Sequence, residues 1–169
     1  ASGSVGVLWR GYGADYYTST PYVANATFGG YFIVMQSCTV VGIRVNDSIA
    51  ANPHDLKVSV WDSTGTLKAT KTATHAGAVG KVEILFDTPW VVPVTEIGKT
   101  LTFGAYETSG SSNCAHTTGA DIATLPVFNG PMGYIEGPKR WSAGDVIPAT
   151  DAGGGARYPV APIVATYNE

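Results

Sequence analysis

Charge is scarce in this sequence. Asp, Glu, Lys and Arg make up only 14% of it, and the net charge of −3 gives a pI near 5.5. No basic stripe is available to neutralise phosphates, which excludes unaided nucleic-acid binding. Long apolar runs are missing as well. None approaches the roughly eighteen residues of a membrane-spanning helix. There is no heptad, no internal repeat and no low-complexity linker, so residues 1–169 read as a single domain. An N-terminal secretory signal is also lacking. The opening Ala-Ser-Gly fits either a signal already cleaved or an initiator Met already removed.

Cysteine is nearly absent. Cys38 and Cys114 are the only two. Bridged across their long loop they would add about 4–5 kcal/mol in the chain-entropy model. Left reduced, Cys38 is a small buried hydrophobe in a strand-like run. Both readings stay open. The three histidines, His54, His75 and His116, fall in separate loop-like segments, without the spacing of a helical zinc site. No cofactor is expected, and no metal ligand is assigned; a metal site assembled only in the fold and a structural calcium held by turn carboxylates stay open.

Catalytic signatures are missing too. No serine sits in a Gly-x-Ser-x-Gly elbow, and no glycine-rich run ends in the Lys-Ser/Thr of a phosphate loop. Asp47, Asp55, Asp62 and Asp87 lie at strand ends or turns, where a carboxylate caps backbone N–H groups. The chain is read as non-enzymatic. Asn25-Ala26-Thr27 and Asn46-Asp47-Ser48 match the glycosylation tripeptide, which matters only on a eukaryotic secretory route.

What is abundant is turn chemistry, with 21 glycines and 10 prolines. Between the turns, residues alternate with the period of half-buried strands. Residues 56–107 show it best. Leu56, Val58 and Val60 alternate with Lys57 and Ser59, and Asp62-Ser63-Thr64-Gly65 then turns the chain back through Leu67 and Ala69. Val82, Ile84 and Phe86 share a face, as do Leu101, Phe103 and Ala105. These four runs predict one antiparallel sheet with a single apolar face, which the rest of the chain must cover. Further strands are predicted over residues 5–9, 23–28, 31–36, 39–45 and 163–167. Gly29-Gly30 is read as a turn between the second and third of these. Residues 70–80 are read as an exposed connection, and residues 120–123 as a short helical turn. Pro159 and Pro162 suit an edge or a strand entry. Nine or ten strands without a convincing helix predict an all-β fold, a two-sheet antiparallel β-sandwich that is jelly-roll-like.

Three stretches carry a resemblance: Val41-Gly42-Ile43-Arg44, the hairpin from Val58 to Leu67, and Pro93-Val94 before the Leu101 strand. They resemble a jelly-roll β-sandwich domain of unknown function found in secreted bacterial multidomain proteins and phage virion proteins. The ending Tyr158-Pro159-Val160-Ala161-Pro162 is similar to that family's closing strand, with Ala161 where the family usually carries Asp. The resemblance implies an extracellular, accessory role and carries over no catalytic residue.

The best candidates for function are aromatic loops. Tyr12, Tyr16 and Tyr17 lie in one; Phe128, Tyr134 and Trp141 lie in another, with Arg10 and Arg140 nearby. Rings held by a rigid sandwich can stack on sugar faces or anchor a protein interface, and Arg140 offers a fork of donors. Tyr12, Tyr16, Tyr17, Tyr134, Arg140 and Trp141 are therefore the predicted binding residues. The expected function is a structural or attachment component of a tailed bacteriophage virion, a minor tail or capsid-decorating protein. It would form homo-oligomers, pack against other virion subunits and touch cell-surface polysaccharide. The alternative is a secreted carbohydrate-binding module accessory to a polysaccharide hydrolase.

Overall fold

A computed structural model describes residues 8–10, 25–47, 53–75, 80–107, 130–134, 140–151 and 160–165. The described residues form eleven strands, and alternation of apolar and polar residues marks those at the centre of the chain. They are β1 (Leu8–Arg10), β2 (Ala26–Val34), β3 (Thr39–Asp47), β4 (His54–Trp61), β5 (Leu67–His75) and β6 (Gly80–Val91), then β7 (Thr100–Glu107), β8 (Met132–Tyr134), β9 (Arg140–Ala143), β10 (Thr150–Asp151) and β11 (Val160–Ala165). One 3-10 turn, Val94–Glu96, links β6 to β7. No described residue lies in an α-helix.

The strands form two antiparallel sheets. One has the order β1-β11-β3-β6, and the other the order β10-β9-β2-β7-β4-β5, with β8 beside β9 along β2. The protein is an all-β sandwich. Its core lies between the sheets, where Phe28, Phe32, Val58, Val60, Leu101 and Phe103 meet Val40, Ile43, Ile84 and Val164. Phe32 and Phe103 pack edge to face with ring centres 5.5 Å apart, a geometry that aligns a positive ring edge with a negative face.

Strand pairing departs from the sequence expectation in several places. Residues 56–107 do not make one sheet: β6 carries Val82, Ile84 and Phe86 into the opposite sheet, where it pairs with β3. The apolar face of β4 and β7 is thus partly covered from within the same stretch. Where the sequence predicts two strands, over residues 23–28 and 31–36, one continuous strand runs from Ala26 to Val34. A Cβ added at Gly29 would lie 1.9 Å from the Phe103 carbonyl oxygen, so glycine is needed for close approach to β7, not for a turn.

The expected connection over residues 70–80 is strand as far as His75, which pairs with His54. Positions 54 and 75 are therefore paired across a ladder rather than lying in separate loops. A register shift at the start of β5 sets Leu67 opposite Trp61 and Ala69 opposite Val60, so these two residues do not share a face. The closing strand runs from Val160 to Ala165, between β1 and β3, with Pro162 inside it opposite Ile43. β1 pairs only with Ile163–Ala165. Among the described residues, Pro162 therefore has a ladder neighbour on one side only, which leaves a side where its missing N–H breaks no bond. The helical turn expected over residues 120–123 lies outside the described residues.

Candidate functional site

The Asp62-Ser63-Thr64-Gly65 turn forms as the local chemistry dictates. Gly65 adopts φ 83°, and its N–H donates to the Asp62 carbonyl at 3.0 Å. Asp62 Oδ1 accepts from the Thr64 N–H, the Thr64 hydroxyl and the Thr66 N–H, all within 3.0 Å, while Lys68 Nζ sits 2.9 Å from Oδ2. Partial burial pushes this carboxyl up. The Thr64 hydroxyl, the Lys68 ammonium and the two backbone donors outweigh it, holding Asp62 well below the usual carboxylate range. Such a group neither donates nor takes up a proton near neutral pH, so Asp62 is a structural anion. Glu96 anchors the turn from the 3-10 segment: Ser63 donates its N–H to Oε2 and its hydroxyl to Oε1, both at 3.0 Å.

A second segment, residues 144–149, crosses the outer face of the β2-β7-β4 sheet. Thr27 donates to the Gly144 carbonyl at 2.7 Å and accepts from the Val146 N–H, while Lys57 pairs with Asp145. The face beneath is unusually sheltered: Thr27, Ser59, Trp61 and Thr102 all point away from the core, yet each is buried. Gly29 and Gly104 stand opposite each other there, and the Trp61 ring lies over Gly104.

Turn and crossing segment leave a recess of about 540 Å³ between them. Its floor is Thr100 and Thr102 of β7, and its walls are Tyr31, the 62–65 turn and Ile147. Hydroxyls and one aromatic ring therefore converge from three separate stretches of chain, and Ile147 adds an aliphatic side chain from a fourth.

The opposite character appears around the 3-10 turn. Met35, Val91, Val94 and Ile97 are 46%, 68%, 70% and 43% exposed. Backbone bonds from Gly98 to Val34 and from Val92 to Cys38 bring these segments to one end of the sandwich. Between them runs a groove of about 370 Å³ lined by Ser37, Cys38, Thr39, Val92, Pro93 and Val94. The Thr39 hydroxyl is buried there without a partner. Cys38 carries a free thiol, and burial pushes it up to about 11, so it stays protonated and inert.

Three of the predicted binding residues come to one strand. Tyr134 pairs with Phe32, Trp141 with Phe28 and Arg140 with Gly29, all along β2. Tyr12, Tyr16 and Tyr17 lie outside the described residues, as do Phe128, His116 and Cys114. Neither the recess nor the apolar end was singled out from sequence; the recess residues read there only as turn and strand positions. Among the described residues no three of His, Cys, Asp and Glu group together as metal ligands, and no helix is long and apolar enough to cross a membrane. No protein-family model and no curated protein matches this chain.

Proposed function

We propose that this protein is a non-enzymatic structural and attachment component of a tailed bacteriophage virion, one that packs against neighbouring subunits. The observation that carries the reading is the apolar end. Val91 and Val94 are exposed along the groove and Met35 and Ile97 are exposed at the same end, and clustered apolar side chains of this kind mark contact surfaces. Strand order adds to it. The orders β1-β11-β3-β6 and β10-β9-β2-β7-β4-β5 suit the double-sheet jelly roll we propose, an architecture that recurs in capsid and lectin domains. Asp55, Asp62, Glu96 and Asp145 are spent on tying strands and turns together, which suits a scaffold better than acid–base chemistry.

The test is the mass of the native protein in solution, with and without bacterial-surface polysaccharides. The expected result is an oligomer whose mass does not change on dilution, and which Val94→Asp combined with Ile97→Asp converts to monomer. A monomer at every concentration that still binds one polysaccharide would replace this reading with a secreted carbohydrate-binding module.

A further inference from the structure

We propose that the recess between the 62–65 turn and residues 144–149 is a binding site for a neutral pyranose unit of a polysaccharide. The inference rests on the attachment half of the function proposed above, and it names a site and a ligand class there. A pyranose has apolar C–H faces and an equatorial belt of hydroxyls. It therefore needs an aromatic or aliphatic wall together with short polar groups at fixed spacing. The recess supplies both. Tyr31 and Ile147 give the apolar walls, Thr100 and Thr102 the hydroxyl floor, and Ser63 and Thr64 the polar rim.

Both walls are held before any ligand arrives. Asp62 and Glu96 fix the turn, while Thr27 and Lys57 fix the crossing segment. A preformed site loses little freedom on binding, which matters for a ligand as weakly bound as a single sugar. Charge selects among sugars. Among the described residues the only ionised group lining the recess is Asp62, with its ammonium partner Lys68 on the far carboxylate oxygen. Among the described lining residues a uronate or a phosphate finds no cation to pair with, whereas a neutral hexose can exchange hydrogen bonds with the Ser63, Thr64, Thr100 and Thr102 hydroxyls.

The experiment is a titration of the isotope-labelled protein followed by amide NMR. Glucose, galactose, mannose and N-acetylglucosamine serve as neutral probes, and glucuronic acid as the charged one. At least one neutral probe should give saturable shifts at Ser63, Thr64, Gly65, Thr102 and Ile147, with a Kd on the order of millimolar. Glucuronic acid should give none. Tyr31→Ala should weaken binding by about tenfold or more, and Tyr31→Phe should retain it, because the ring supplies the wall. A dispersed spectrum of each variant confirms that it is folded. Absence of saturable shifts with all four neutral sugars, shifts confined to other surfaces, or full binding by folded Tyr31→Ala would each overturn the proposal. Oligomer mass is measured separately, so a failed sugar site and a failed assembly reading are told apart.

Discussion

Glu96 receives both the backbone N–H and the hydroxyl of Ser63, each at 3.0 Å, across 33 residues of sequence. One carboxylate thereby joins the link between β6 and β7 to the tip of the β4–β5 hairpin. Glu96 is itself buried, so its charge is compensated by these donors, with Lys99 at 4.0 Å. Replacing it with Ala should cost about 1.5–3 kcal/mol, the range for hydrogen bonds to a charged group. A thermal melt would show a lower Tm, and hydrogen exchange would show faster opening at Gly65.

Asp62 should give the protein an acid-sensitive share of its stability. Its folded carboxyl is held below the unfolded value by the Thr64, Lys68 and Thr66 donors. The contribution is complete above the unfolded pKa of about 3.9, and it is lost as pH falls from there toward the folded value. Asp62→Asn should therefore be less stable than the native protein at pH 7. The gap between their melting temperatures should narrow as pH drops below about 4. A gap that stays constant down to pH 2 would contradict this account.

Cys38 should behave in the opposite sense. Burial raises its thiol from 9.0 to about 11, so the folded state favours the neutral form. That stability is present below the ordinary thiol value and fades as pH climbs through the folded one. Cys38 should resist iodoacetamide at pH 8 in the native protein and react once the chain is unfolded in urea, as mass spectrometry of the Cys38 peptide would record.

Gly29 should tolerate no side chain. A methyl group there would meet the Phe103 carbonyl oxygen at 1.9 Å, which only backbone movement can relieve. Gly29→Ala should destabilise the fold by about 2 kcal/mol or more, within the range for overpacking and backbone displacement. Gly98→Ala provides the contrast. Its φ of 81° is strained for alanine, but nothing lies within 4 Å of the added carbon, so its cost should stay near about 1 kcal/mol. Urea denaturation of both variants would rank them.

Local chemistry in the sequence determined the strands around residues 56–107, the turn at Asp62–Gly65 and the all-β class, because alternation and turn residues act on neighbours in the chain. Alternation names a face but not a partner. That is why β6 could be assigned to the wrong sheet although Val82, Ile84 and Phe86 were correctly grouped. Gly29-Gly30 has the composition of a turn; only the approach of β7 shows that the glycine makes room for another backbone. Pro162 is likewise an edge residue by its own chemistry, yet it sits inside the closing strand, where among the described residues its one ladder neighbour is Ile43. The recess was hidden for the same reason. Tyr31, the 62–65 turn, Thr100, Thr102 and Ile147 share no spacing that a reader of the chain could notice. They become one surface only when the strand order of the second sheet, and the bonds from Thr27 and Lys57 to the segment above it, bring them together.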